Sequence, residues 1–244
     1  MRNIIITGGS RGLGLAIARK LVLAGYGVIA IARNENPELK AAIVEAQREA
    51  VGALHFRPFD LSDIAGIHGM TKELRKEFGP IYGLVNNAAL GTSGLLTTMH
   101  DKRIESLVHL NVVSPLVLTK YILRFMMSDG AGRIVNIASI VADTGYKGLA
   151  PYAATKAALV GFTRSLSREV GSLGITVNAI APGFMETEMT ESLTGQQHDQ
   201  IVRRSALKRL AEVSDIADAV EYLLSEKARN ITGTVLTIDA GSTA

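Results

Sequence analysis

The chain contains no cysteine. That absence excludes disulfides, thiolate nucleophiles and cysteine-ligated metals, and it suits a reducing compartment. Histidine offers little to a metal either. His55, His68, His100, His109 and His198 are scattered, with no His-x-x-x-His or His-Glu-x-x-His spacing. An excess of one charge sign is also missing. Lys plus Arg number 26 against 23 Asp plus Glu, and a net charge of +3 does not argue for nucleic acid or a membrane surface. One local basic cluster, Arg203, Arg204, Lys208 and Arg209, reads either as a solvated helix face or as an attractor for an anionic substrate tail. No Pro/Gly/Ser-rich linker, low-complexity tract or repeat divides the 244 residues, so one domain is expected. No long apolar segment follows a basic start. The chain enters Ile4-Ile5-Ile6 at once, so neither a signal peptide nor a membrane span is expected and the cytoplasm is the default.

What the sequence does contain is an alternation of short β-branched runs with longer helical patterns. Strands are expected at Asn3–Thr7, Gly27–Ala32, Ala53–Pro58, Ile81–Asn86, Arg133–Ser139, Thr176–Ala181 and Val235–Asp239. Most are almost wholly apolar, as parallel strands covered on both faces must be. Between them, Leu13, Ile17 and Leu21 recur at helical spacing with Gly25 as the stop, and Leu107, Leu110, Val113, Val117 and Tyr121 form a second stripe. Ser214 is the expected N-cap of the last helix. This alternation predicts right-handed βαβ crossovers and an α/β, Rossmann-type doubly wound sheet of about seven parallel strands with helices on both faces. A dinucleotide-binding half is expected over about residues 1–90 and a catalytic and substrate half over about 91–244. The polar segment from 184 to about 205 breaks the rhythm and reads as a flap or as a surface insertion.

The first strand runs into Gly8-Gly9-Ser10-Arg11-Gly12-Leu13-Gly14. Glycines between a strand and a helix permit positive φ and close backbone approach to a phosphate, and the helix N-terminus presents unpaired N–H groups to it. An acidic residue at the end of the second strand would bind a ribose 2′-hydroxyl. Here Ala32 leaves that place empty and Arg33 follows, with Arg11 nearby in the glycine turn. A guanidinium suits a 2′-phosphate, which favours NADP(H) over NAD(H). Asp60-Leu61, after the third strand, is placed either to meet an adenine edge or to cap a loop.

The chemistry is expected in the second half. Tyr152 and Lys156 stand four residues apart on a helix and share a face. An ammonium fixed beside a phenol favours the phenolate, so the Tyr152 pKa is expected to fall from ~10 toward a range useful for proton transfer. Asn86-Asn87-Ala88-Ala89 closes the fourth strand, and Ser139 closes the fifth. Asn111 interrupts an apolar helical stripe, where an amide must be paired. Pro182-Gly183 turns the chain out of the sixth strand.

Taken together, these residues resemble the classical short-chain dehydrogenase/reductase family over essentially the whole chain. The resemblance rests on the glycine turn, Asp60, Asn86-Asn87-Ala88-Ala89, Asn111, Ser139, Tyr152/Lys156, Pro182-Gly183 with Thr187, and the closing Thr-Ile-Asp-Ala-Gly. It implies a catalytic tetrad of Asn111, Ser139, Tyr152 and Lys156, with Tyr152 as general acid/base and Ser139 binding the same substrate oxygen. Lys156 would lower the Tyr152 pKa and hold the nicotinamide ribose, and Asn111 would hold a relay water. It also implies NADP(H) contacts from Gly8, Ser10, Arg11, Gly12, Leu13, Gly14, Arg33, Asp60, Leu61, Asn86, Ala88, Tyr152, Lys156, Pro182, Gly183, Met185 and Thr187, and a homotetramer. One departure is Ala89, where the family usually has glycine.

The segment from Pro182 to Thr190, Gly174-Ile-Thr-Val-Asn and Lys208-Arg209-Leu210-Ala211 look like those of 3-oxoacyl-[acyl-carrier-protein] reductases. A small carbonyl or a 3-oxoacyl thioester is the substrate this implies. The thioester carrier, acyl carrier protein or coenzyme A, stays open. Where carrier-dependent relatives present arginines, this chain has Gly130 and Leu173, with Asp129 beside the first. An enzyme on another ketone or alcohol, and a non-catalytic dinucleotide sensor, are the alternative readings.

Overall fold

The computed structural model describes residues 1–49, 51–185 and 195–244. Seven strands form one sheet: β1 Asn3–Thr7, β2 Gly27–Ala32, β3 Ala53–Pro58, β4 Ile81–Asn86, β5 Gly132–Ile137, β6 Ile175–Pro182 and β7 Val235–Ile238. Their order is β3-β2-β1-β4-β5-β6-β7, and every neighbouring pair is parallel. The chain winds outward from β1 to β3, returns to the centre, and winds the other way from β4 to β7. Thus β1 and β4 flank the switch point, where a crevice opens above the strand C-termini.

Period-two alternation explains the two layers. In β1, Ile4 and Ile6 face one side and Ile5 the other, and all three are fully buried. The Ile4/Ile6 face is covered by α1 (Gly12–Leu23), α2 (Pro37–Glu49) and α9 (Val213–Leu224), through Ile17, Leu21, Leu39, Ile216 and Val220. The Ile5 face is covered by α3 (Ile67–Phe78), α5 (Ser114–Asp129) and α7 (Ala150–Val170), through Leu74, Leu118, Ile122 and Val170. Each such side chain contributes about 1.5–3 kcal/mol by leaving water. Three further helices, α4 (Asp101–Val108), α6 (Val141–Thr144) and α8 (Gly195–Arg204), lie in the second half.

Local expectations fare unevenly. Gly25 ends α1 with φ +87°, as its sequence position predicts. Ser214 does not cap α9. Glu212 does, in a reciprocal capping box with Asp215, because two carboxylates can each accept an N–H of the opening turn. The stripe Leu107–Leu110–Val113–Val117–Tyr121 is not the buried one on α5, where Leu118, Ile122 and Met126 are fully buried and Val117 and Tyr121 only half so. The reason is a π-helical turn at His109–Val113 between α4 and α5. It inserts backbone into the helical ladder and rotates the two faces against each other, which no fixed sequence period captures. The continuous helical run 101–129 has a window with mean hydropathy 1.4, long and apolar enough by composition to cross a membrane. Leu118, Ile122 and Met126 pack that run against the sheet, as a core helix does.

Candidate active site

Two turns at the switch point are stitched together by Thr7, the residue that opens the glycine motif and to which the sequence assigned no role of its own. Its buried hydroxyl accepts from the Asn87 and Ala88 N–H groups at 2.9 and 3.0 Å and donates to the Val85 carbonyl at 3.3 Å. Asn87 Nδ2 returns to the Thr7 carbonyl at 2.9 Å. A threonine at a strand end is an ordinary sequence feature, and only the pairing of β1 with β4 reveals this use.

The glycines of the first turn divide by reason. Gly8 and Gly12 hold φ of +67° and +51°, which L side chains rarely adopt. A Cβ on Gly14 would instead strike the Gly8 carbonyl and stand 2.7 Å from Asn87 Nδ2. Among the described residues, Gly12 has open space where its Cβ would project, with nothing within 4 Å, and the N-cap residue of α1 makes no side-chain cap bond. The helix therefore offers its first N–H groups and its positive dipole end to an open cradle, which fits a pyrophosphate. Ser10 is half-buried in this turn, Arg11 and Gly12 are exposed, and Leu13 packs against the core. Ala88 touches the same turn, since a Cβ on Gly8 would meet its Cα at 3.0 Å.

Arg33 is exposed just beyond β2, with no ion pair among the described residues. Asp60 adopts the loop-cap role, its Oδ1 accepting from the Ser62 N–H at 2.9 Å, while Leu61 is buried in the core. The Asn86 side chain points away from cofactor duty. Its Nδ2 donates to Thr119 Oγ1 at 3.0 Å and Asn136 Oδ1 at 2.8 Å, inside a buried network that continues to Thr163. The β4–β5 register pairs Asn86 with Asn136 and turns both inward, so any Asn86 contact with a cofactor falls to its backbone.

Asn111 sits in the π-turn and is 1% exposed. Its Oδ1 accepts from the Leu90 N–H at 2.8 Å. Its Nδ2 donates to the Leu90 carbonyl at 2.9 Å and to Thr155 Oγ1 at 3.1 Å. Both amide hydrogens are therefore spent on the loop after β4 and on α7, so the Asn111 side chain has no donor left for a relay water. Thr155, unmarked in the sequence, passes the link to the Tyr152 carbonyl at 2.7 Å.

Ser139 lies two residues past the end of β5 rather than within it. Its Oγ accepts from the Val141 N–H at 3.4 Å, as a turn cap would. Its own hydroxyl hydrogen has no acceptor among the described residues, so it is free to donate. Tyr152 opens α7 behind Pro151, half-buried, and its phenolic oxygen has no hydrogen-bond partner among the described residues. Lys156 is 3% exposed and donates from Nζ to the Ile137 carbonyl at 2.7 Å, while Nζ stands 5.6 Å from the Tyr152 ring centroid. Pro182 closes β6, and its carbonyl accepts the Ile140 N–H at 3.0 Å. Gly183 and half-buried Met185 follow it. Thr187 and the middle of the expected flap lie outside the described residues.

Electrostatics overturn one expectation. Burial pushes the Tyr152 phenol up to about 12 instead of the lysine drawing it down, and burial pushes the Lys156 ammonium down to about 8. The ammonium is held on the Ile137 carbonyl rather than on the phenol, and removal of the phenol from water outweighs the rest. Tyr152 is consequently a protonated donor at neutral pH.

Residues 2–198 match the family model for short chain dehydrogenases. The chain belongs to that family. It is therefore an oxidoreductase, and its single-domain Rossmann-like sheet is the one expected. It is 40% identical to the 3-oxoacyl-[acyl-carrier-protein] reductase FabG of Escherichia coli over 238 residues, 97% of this chain and 95% of the relative. It is 32% identical to that of Staphylococcus aureus over 240 residues, 98% and 97% of the two chains. Among solved structures, a gluconate 5-dehydrogenase from Burkholderia cenocepacia in complex with NADP and tartrate superposes with a TM-score of 0.93. Its sequence identity is 29%, with 99% of this chain and 95% of that chain covered.

Proposed function

We propose that the protein is an NADP(H)-dependent reductase converting a 3-oxoacyl thioester to the 3-hydroxyacyl thioester. The observation that carries this is the pair of unspent donors, Tyr152 Oη and Ser139 Oγ, set above the strand C-termini near buried Lys156 and the open glycine cradle. Gly8, Ser10, Arg11, Gly12, Leu13 and Gly14 would hold the pyrophosphate side. Arg33 would hold the 2′-phosphate, the second carboxylate oxygen of Asp60 and the backbone of Leu61 the adenine, and Ala88, Pro182, Gly183, Met185, Thr187 and Lys156 the nicotinamide half. When bound, the dinucleotide supplies the hydride.

The residues of the chain do the rest. Ser139 donates to the substrate carbonyl oxygen and stabilises charge as it develops there, and Tyr152 delivers the proton to that oxygen. Lys156 orients the ribose. Asn111 fixes the loop after β4 and, through Thr155, the first turn of α7, a positioning role. The phenol is protonated at neutral pH, so it holds the proton that the reductive step requires.

Coenzyme A suits the surface better than acyl carrier protein as the thioester's carrier. Asp129 is held by Arg75 in a two-pronged pair at 2.6 and 2.7 Å, which offsets the Arg75 charge beside Gly130, one of the two places where carrier-dependent relatives present arginines. A second reading, reduction of a small hydroxylated ketone, is favoured by the likeness to the gluconate dehydrogenase. The assembly expected is a homotetramer in the cytoplasm. Exposed Val108 and Met127, together with Ala154, Ala157, Ala158 and Gly161 on the outer face of α7, suit helix-to-helix contact between copies. A monomer mass by light scattering at micromolar concentration would refute it.

The experiment is the initial rate of NADPH oxidation with acetoacetyl-coenzyme A, with NADH in parallel and Tyr152→Phe as control. Turnover with NADPH that falls about 10²–10⁴-fold in Tyr152→Phe supports the reading. No turnover despite NADPH binding would retire the thioester and leave the hydroxylated ketones.

A further inference from the structure

Both ends of the segment expected as a flap are fastened to one short turn at the C-terminus. On the entry side, the Gly183 N–H donates to the Ile238 carbonyl at 2.8 Å. A Cβ on Gly183 would stand 2.6 Å from Asp239 Cβ and 2.8 Å from Asp239 Cα. Gly183 has no positive φ, so it is glycine because it crosses directly over Asp239. On the exit side, the N–H groups of Ala206 and Leu207 donate to the carbonyls of Gly241 and Ala240 at 3.2 and 3.0 Å. A Cβ on Gly241 would lie 2.7 Å from Ala206 Cβ.

The turn itself is folded around one carboxylate. Asp239 is 8% exposed and makes no ion pair among the described residues. Its Oδ1 accepts from the Gly241 N–H at 2.9 Å, and its Oδ2 accepts from the Thr243 N–H at 2.9 Å and Thr243 Oγ1 at 2.7 Å. Its backbone carbonyl takes the Ser242 N–H and hydroxyl at 3.1 and 2.8 Å. The turn holds Ala240 at φ +55°, a left-handed conformation that costs a non-glycine residue energy. A buried carboxylate taking three local donors is the compensating interaction. The link reaches the chemistry in two more steps. Gly183 follows Pro182, and the Pro182 carbonyl holds the N–H of Ile140, the residue after Ser139.

We propose that Asp239 is a positioning residue for the reaction. Its carboxylate gathers residues 239–243 into a clamp that sets Gly183 against Ala206 and Leu207, and through Pro182 it fixes the loop carrying Ser139. The functional part rests on the NADP(H) reductase reading, while the clamp itself is a property of the fold and can be tested without cofactor.

The test compares wild type, Asp239→Ala, Asp239→Asn and Thr243→Val by amide hydrogen exchange without cofactor, and by NADPH fluorescence titration. In Asp239→Ala, exchange at Gly183, Ala206, Leu207 and Ile140 is expected to quicken about tenfold or more while amides of β1 and β4 keep wild-type rates. The NADPH Kd is expected to rise about tenfold in the same variant. Asp239→Asn, which keeps one acceptor oxygen and the shape, should recover part of both effects. Thr243→Val should show a small version of them. Unchanged exchange at those four amides overturns the proposal, and so does an increase spread equally over β1 and β4. If wild type binds no NADPH, the cofactor reading fails, and the exchange pattern alone decides whether the clamp exists.

Discussion

Lys156 Nζ donates to the Ile137 carbonyl at 2.7 Å, so the lysine of the Tyr-x-x-x-Lys pair is anchored to the end of β5 and not to the tyrosine. Ile137 stands two residues before Ser139. The same bond that seats α7 on the sheet thus sets the height of the ammonium relative to the serine turn. It also accounts for the absence of a lowered phenol pKa, because the charge is committed elsewhere and 5.6 Å from the ring centroid.

A buried ammonium makes stability depend on pH with a definite sign. Lys156 titrates at about 8 in the folded chain against an ordinary 10.5. Below pH 8 the folded state carries the full cost of the buried charge, on the order of 3 kcal/mol. Between 8 and 10.5 the unfolded chain binds the extra proton, so stability rises with pH. Tyr152, pushed up to about 12, acts oppositely and lowers stability above its ordinary 10. Lys156→Met is therefore expected to be inactive but more stable than wild type at pH 7, with the difference shrinking as pH climbs from 8 to 10.5. Urea unfolding across that range checks it, and a difference independent of pH would refute the assignment.

Thr7→Val keeps shape but removes the oxygen that accepts the N–H groups of Asn87 and Ala88. Two half-buried donors then lack a partner, and a loss of about 1–2 kcal/mol is expected in denaturant unfolding. NADPH binding should weaken with it, because the two turns at the switch point are no longer tied. A midpoint equal to wild type would mean that water replaces the hydroxyl.

Two glycines of the first turn separate folding from binding. Gly14→Ala drives a Cβ into the Gly8 carbonyl and should cost about 1–3 kcal/mol, read as a fall in melting temperature. Gly12→Ala meets no atom within 4 Å and pays only for its φ of +51°. It should fold, yet lose NADPH affinity because the methyl fills the cradle. Equal melting and equal binding for the two variants would contradict this division.

Arg33→Ala is expected to raise the NADPH Kd about 10–100-fold, the worth of a charge-assisted contact to a phosphate, and to leave NADH binding within a few-fold. Isothermal titration with both cofactors decides. A parallel loss for both would move the 2′-phosphate to another residue, Arg11 being the neighbouring candidate.

Fold class, strand positions, the glycine turn and the Tyr152/Lys156 spacing were legible in the sequence, because they depend on local steric rules and on periodicity. Gly and β-branched residues act within a few positions of themselves, and a four-residue helical spacing fixes a shared face. What depends on atoms far apart in the chain was not legible. Asn86 looks like a site residue until the β4–β5 register turns it toward Asn136 and Thr119. Thr7 looks like any strand residue until β1 pairs with β4. The π-turn moves the buried face of α5 off the apparent stripe. Burial, rather than neighbouring charge, decides the direction in which Tyr152 titrates, and burial is a property only the packed molecule has. Asp239 belongs to this second group as well, because its carboxylate gains meaning only where residues 239–243 meet both ends of segment 184–205.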